Sequence, residues 1–294
     1  MIRSFHHTDF PLDLLLERKR EPISAVLPAR EVADTVGPIV ERLLSLNGLL
    51  DQVLVVDAAS ADGTAVVAAN AGAEIVEESE FAPECGAVLG KGDAMWRALD
   101  AVTGALVVFL DADTREFSPH FATGLLGPLL ADDDVSFVKA RFDRPLAVGT
   151  AEASDAGGGR VTELIARPLL CAFYPELAGF AQPLAGEVAA RRELFERIPF
   201  STGYAVETAM LLDVRDAVGL EAMAQVDLGE RHNSHQSLSA LAPMAYAVLS
   251  VIVERLRGEG RMPEGGLSPL ITAGGDIIEV DVLERPPHAL RAER

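Results

Sequence analysis

The chain has 294 residues, 49% of them hydrophobic, enough for one large α/β domain with a substantial core. Its 25 basic and 45 acidic residues give a formal charge of −20, which argues against nonspecific binding to nucleic acid or to an anionic membrane surface. Two cysteines, Cys85 and Cys171, fit neither a disulfide framework nor a thiolate metal centre. An anionic substrate would need a local basic pocket inside this acidic envelope, so each Arg or Lys beside a glycine-rich turn gains weight. The polar start, Met1 to Asp9, lacks an apolar signal core, and a cytoplasmic enzyme is expected.

Residues 1–22 are mixed and charged, with a short helix expected around Leu12 to Arg18; the segment packs on the surface, covers a neighbour, or is a loosely held terminus. Ile23–Leu27 reads as a first strand, ended by Pro28-Ala29-Arg30-Glu31. Val36, Ile39, Val40, Leu43 and Leu44 then recur at helical spacing, and Gly48 closes that helix. Gln52–Asp57 is a second buried strand ending in a carboxylate, followed by a small polar turn, an Ala-rich helix to Asn70, and a short strand at Ala73–Val76. This β-α-β-α-β order is half of a doubly wound, mostly parallel sheet.

Gly90-Lys91-Gly92 precedes a helix expected over Asp93–Val102. Glycines flanking a lysine at a helix start suit a phosphate; a plain helix start with a solvated lysine is the alternative. The motif lacks the lead and the Ser/Thr of a Walker A loop. The apolar run Val107–Leu110 ends in Asp111-Ala112-Asp113. A strand buried on both faces places these carboxylates at the carboxyl edge of the sheet, where ligands bind, and two hard oxygen donors there suit Mg²⁺ or Mn²⁺.

A helix follows over Phe117–Leu130, and Val135–Phe142 alternates as a half-exposed strand would. Gly157-Gly158-Gly159-Arg160 opens the next segment, with Thr162 beside it: a clamp for carboxylate or phosphate, or a hinge with a solvated arginine. Gln182–Arg191 is a turn feeding a strand or helix, and Glu193–Arg197 a short helix. Glu207 sits among apolar neighbours, so it is paired, metal-linked or catalytic unless it lies on the helix's polar edge. Met223–Leu228 is a further strand, and His232 or His235 beyond it could ligate a metal. The uncharged run 238–253 falls short of the about 20 apolar residues a membrane span needs, and is expected as a helix buried in the core or in a subunit interface. A tail, 258–294, carries one expected strand at Ile277–Leu283.

Val55-Val56-Asp57-x-x-Ser60-x-Asp62-x-Thr64, Gly90-Lys91-Gly92 and Phe109-Leu110-Asp111-Ala112-Asp113 together resemble a GT-A nucleotide-sugar glycosyltransferase. Gly157–Leu164, Arg167-Pro-Leu-Leu, Gln182-Pro-Leu-Ala-Gly-Glu187, Gly203-Tyr-Ala-Val-Glu207 and Gln225-Val-Asp-Leu-Gly are similar to the glucosyl-3-phosphoglycerate synthases and their mannosyl relatives in actinobacteria. The resemblance covers residues 22–257. It implies a GT-A domain over 1–257, with a nucleotide-sugar half (about 22–115), an acceptor half (about 116–237) and the apolar helix 238–257, followed by the extension 258–294.

It further implies retaining transfer of a hexose from UDP-glucose, or alternatively GDP-mannose, to the 2-hydroxyl of 3-phosphoglycerate with Mg²⁺ or Mn²⁺. The apolar helix 238–253 makes a homodimer the expected assembly, and the acidic charge speaks against membrane or nucleic-acid partners. Carried onto this chain, Pro28, Ala29, Glu31, Asp57, Ala58, Lys91, Asp111, Ala112 and Glu187 would bind the donor. Gly159, Arg160, Thr162 and Asn233 would bind the acceptor. Asp113 and His235, with His232 as fallback, would hold the metal, and Asp111, Glu207 and Arg160 would serve catalysis. Two departures stand out. Pro28-Ala29-Arg30-Glu31-Val32 replaces the family's Pro-Ala-Leu-Asn-Glu, and Arg231-His232-Asn233-Ser234-His235 replaces its His-Arg-Asn. A polyprenyl-phosphate sugar transferase is a rival reading, although the acidic charge and the Arg160 clamp speak against it. A sugar nucleotidyltransferase would need glycines after the first strand, and a turnover-free nucleotide sensor would not need Asp113, Lys91 and Arg160 together.

Overall fold

The computed structural model describes residues 2–143, 159–231, 238–263, 270–271 and 277–293. In chain order the elements are β1 (Arg3–His6), α1 (Leu12–Arg18), β2 (Ile23–Ala29), α2 (Ala33–Leu44), β3 (Gln52–Asp57), α3 (Thr64–Asn70), β4 (Glu74–Glu77), α4 (Lys91–Ala98), β5 (Leu106–Phe109), α5 (His120–Ala131) and β6 (Phe137–Asp143). Then follow α6 (Arg167–Phe173), β7 (Val188–Arg191), α7 (Arg192–Arg197), β8 (Phe200–Ser201), α8 (Val206–Val218), β9 (Met223–Glu230) and α9 (Leu238–Gly258).

Eight strands form one sheet in the order β1-β9-β6-β7-β5-β2-β3-β4. All neighbours are parallel except β7, which runs against both β5 and β6. Every residue of β3 and β5 is buried, as strands covered by helices on both faces must be. One layer packs α4 (Trp96, Leu99), α7 (Phe195) and α8 (Leu211, Leu212) on the sheet. The other packs α2 (Val36, Ile39, Val40) and α5 (Phe121, Leu125). The carboxyl ends of β2, β3, β5 and β9 therefore share one edge. Because β7 is reversed, its first residues lie on that same edge. No helix among the described residues is long and apolar enough to cross a membrane.

Three regions differ from the sequence reading. The N-terminus is neither a loose end nor a cover: β1 is the outermost strand, in parallel register with β9 from Arg3↔Ala224 to His6↔Asp227. The strand β6 is not half-exposed; Phe137, Val138, Lys139, Ala140 and Phe142 are all buried, because it sits between β9 and β7 under helices on both faces. In the tail, the expected strand Ile277–Leu283 shrinks to Ile277–Ile278, and a second short strand, Glu284–Arg285, pairs antiparallel with β8.

This last pairing straps the tail over α4. Arg285 donates to both carboxylate oxygens of the fully buried Asp93, at 2.9 and 2.8 Å, and the Trp96 indole donates to the Pro286 carbonyl at 2.9 Å. Arg97 holds the same carboxylate at 3.3 Å. Replacing Arg285 by Met removes one of the two cations from a buried carboxylate. We expect a loss of about 2 kcal/mol, less than the ~3–5 kcal/mol of a fully stranded charge because Arg97 stays. Chemical denaturation checks this, and an unchanged midpoint would contradict it.

Candidate active site

One side of the candidate site is built from the loops after β2 and β3. Ala29 ends β2 in the core, and its carbonyl accepts from the Ala58 amide at 3.0 Å. Glu31 adopts a left-handed φ of +52° and Ala59 one of +53°, a conformation that costs a non-glycine residue about 1 kcal/mol or more. Hydrogen bonds hold the pair there. The Glu31 amide donates to Ser60 Oγ at 2.9 Å, and the Ala61 amide donates back to Glu31 Oε1 at 2.8 Å. Asp57 ends β3, with Oδ2 accepting from the Ser60 amide at 2.9 Å. Its Oδ1 is buried and has no hydrogen-bond partner among the described residues. Ala112 is buried, with its carbonyl taken by the Thr35 hydroxyl at 2.7 Å. Glu31, Thr35, Asp113 and Arg115 line a cavity of about 490 Å³ beside this edge.

The centre of the site is an ion cluster. Lys91 is the first residue of α4, which begins two residues earlier than the expected start at Asp93, behind Gly90 at φ +81°. Its Nζ lies 2.5 Å from Asp111 Oδ1 and 3.4 Å from Glu207 Oε1, Glu207 being at the start of α8. Arg231, immediately after β9, reaches the other Asp111 oxygen at 3.1 Å and Asp113 at 3.5 Å, and its second nitrogen bonds Glu187. The guanidinium lies over the Phe142 ring, 5.3 Å from its centre. Asp111 thus has a cation on each oxygen. Burial works to raise its pKa, but Lys91 and Arg231 outweigh burial and hold the carboxyl far below the usual range. Burial likewise opposes the Lys91 charge, while Asp111 and Glu207 hold its pKa above that of a free lysine. Both groups stay ionised across any assay pH.

Gly186 lets this cluster close. A Cβ there would stand 2.1 Å from Lys91 Nζ and 2.6 Å from Asp111 Oδ1. In contrast to these buried groups, the Asp113 side chain is 71% exposed and points outward.

Gly159, Arg160 and Thr162 lie where a helical segment begins; Thr162 is buried and opens a wide helical turn, Thr162–Ala166, that runs into α6. Val161 and Ala166 share a small core with Val248 of α9 and Leu184, two residues before Gly186, which fastens this segment to the Gly186 turn. The expected ligands His235 and His232, and Asn233, lie outside the described residues. Among the described residues no three His, Cys, Asp or Glu side chains gather as a metal site.

Two residues of the cluster were missed in the sequence reading. Arg231 stood in a segment noted only for its histidines, though an arginine two residues past Gly229 in so acidic a chain was a usable signal. Lys139 carried none, because alternation placed it on a solvated face. It is 1% exposed instead, with Nζ donating to the Ala185 carbonyl at 2.7 Å.

Gly186→Ala tests the close approach. The fold should persist, while displacement of Lys91 from Asp111 should lower kcat/KM by about 10²-fold, the scale of an ångström-sized misplacement. Wild-type kinetics in this variant would show that Lys91 need not sit against the turn.

A model of the family described as Glycosyl transferase family 2 matches residues 24–160. A glucosyl-3-phosphoglycerate synthase from Mycolicibacterium smegmatis is 41% identical over 281 residues, 94% of this chain and 91% of that one. The crystal structure of mannosyl-3-phosphoglycerate synthase from Rubrobacter xylanophilus is 51% identical, with a TM-score of 0.89 over 98% of this chain and 96% of the other. Glucosyl-3-phosphoglycerate synthase from Mycobacterium tuberculosis, solved with Mn²⁺, UDP-glucose and phosphoglyceric acid, is 35% identical with a TM-score of 0.87 over 99% of both chains. With this identity carried over nearly its whole length, the chain belongs to the glucosyl-3-phosphoglycerate synthase family of nucleotide-sugar glycosyltransferases.

Proposed function

We propose that the protein moves the glucosyl group of UDP-glucose to the 2-hydroxyl of 3-phosphoglycerate, with retention at the anomeric carbon. The observation that carries this reading is the cluster Lys91–Asp111–Arg231–Glu187, set on the carboxyl edge of the sheet in a chain of this family. The laced turns at Pro28, Ala29, Glu31, Asp57 and Ala58 take the nucleoside, and Asp57 Oδ1 can accept a nucleobase N–H. Lys91, at a helix N-terminus, meets the diphosphate. Asp111, Ala112 and Glu187 border the sugar. Arg160, with Gly159 and Thr162, holds the acceptor's phosphate or carboxylate.

Asp113 suits a divalent cation: it is a hard oxygen donor, outward-facing, and held only at 3.5 Å by Arg231. A divalent ion there, Mg²⁺ or Mn²⁺, would offset the charge that grows on the departing diphosphate. The remaining chemistry belongs to the chain. Asp111, saturated by two cations, is a poor base and a poor nucleophile, and Glu207 is engaged by Lys91. The acceptor hydroxyl therefore gives its proton to the leaving phosphate oxygen. As the bond from C1 to that oxygen breaks, its electron pair stays with the diphosphate, and the acceptor oxygen bonds C1 on the same face. Lys91 stabilises the diphosphate, and Arg160 holds the acceptor so that its hydroxyl meets C1 on that face.

The 51% identical mannosyl relative favours one second reading, GDP-mannose as donor. Product analysis with 3-phosphoglycerate and each donor in parallel decides: UDP-glucose transfer supports the proposal, GDP-mannose transfer alone replaces the sugar, and no product with either removes 3-phosphoglycerate as acceptor. We read the assembly as a homodimer, which light scattering checks. Asp113→Ala should abolish metal-dependent turnover, and full activity would remove it from the metal site. Arg160→Ala should raise the acceptor KM by about 10- to 100-fold, the worth of a charge-assisted hydrogen bond, with the donor KM unmoved. An unchanged acceptor KM would end its role as a clamp.

A further inference from the structure

Lys139 is buried in the middle of the sheet, where a methionine would fill the same volume without the cost of desolvating an ammonium. Its Nζ donates to the Ala185 carbonyl at 2.7 Å. The charged groups facing it come from the elements around the site: Glu207 of α8, Lys91 of α4, Glu187 before β7 and Asp111 after β5. Burial dominates these influences and draws its pKa down to about 8. The neighbouring Ala140 amide donates to the Glu187 carbonyl at 3.0 Å. Adjacent residues of β6 thus hold both flanks of Gly186, the point of closest approach to Lys91 and Asp111.

We propose that Lys139 is a positioning residue for the donor sugar: its ammonium pins the Ala185–Gly186–Glu187 turn against the Lys91–Asp111 pair and so fixes the floor on which the hexose of the nucleotide sugar rests. This rests on the nucleotide-sugar reading above. Among the described residues the hydrogen bond of Lys139 goes to the turn at Gly186, away from the turns after β2 and β3, so its influence falls on the sugar. The same geometry ties sugar binding to the charge on Lys139, which is present below about pH 8 and fades above it.

Calorimetric titration with UDP and with UDP-glucose, each with Mn²⁺, tests the assignment in wild type and Lys139→Met. The variant should bind UDP within about twofold of wild type and lose about tenfold or more in UDP-glucose affinity relative to UDP. A defect in folding alone would weaken both ligands together. A second measurement needs only the wild type: its UDP-glucose affinity relative to UDP should fall as pH rises from 7 to 9. An unchanged ratio in Lys139→Met, or a flat wild-type ratio should the variant fail to fold, overturns the role of Lys139 while leaving the donor reading intact. Wild-type protein that binds UDP but not UDP-glucose overturns the donor reading, and this assignment with it.

Discussion

The site depends on the mutual neutralisation of charges that could not be buried alone. Arg231 and Glu187 are both almost fully buried, and each would be costly without the other. Arg231 and Lys91 then share Asp111 between them. Among the described residues, Lys91 and Arg231 are thereby matched by Asp111, Glu187 and Glu207.

Helices and strands of the nucleotide half were legible because their signals are local. Gln52–Asp57 is an unbroken apolar run ending in a carboxylate, and the structure makes it a strand over those residues. Asp111 and Asp113 could be placed on the ligand-binding edge from one strand end and a rule about parallel sheets. What escaped depends on contacts distant in sequence. Nothing within Arg3–His6 announces a partner beyond residue 220, so β1 could not be read as a strand of the main sheet. Lys139 was misread for a related reason. Alternation shows which residues share a face of β6, but which faces are covered is set by α5, α8 and α9, elements that the strand's own sequence does not mention.

The tail shows how far from the chemistry such constraints extend. Its strand pairs with β8, and Thr202 donates its amide to the Leu283 carbonyl at 2.9 Å. The next residue, Gly203, bonds the Leu89 carbonyl at 2.9 Å, just before Gly90 and Lys91. A Cβ on Gly92 would meet the Ser201 carbonyl at 2.0 Å, so α4 and the β8 turn are in direct backbone contact. The start of α4 is thereby held from the tail side by backbone bonds and from the sheet side by Asp111.

The reversed direction of β7 has its own consequence. Asp111 and Asp113 follow the last residue of β5, where a loop can lengthen or shorten without disturbing the strand behind it. Glu187 comes before the first residue of β7, and that strand is paired on both sides, Val188 with Phe109 and with Lys139. A one-residue slip would turn its side chain to the opposite face of the sheet. Two ladders would have to break for that to happen. Glu187 is thus indexed by the sheet itself, whereas Glu31, Ala58 and Ala59 are indexed by turns. Sequence drift can reshape those turns by loop changes, but an insertion or deletion next to Glu187 would have to re-register the strand.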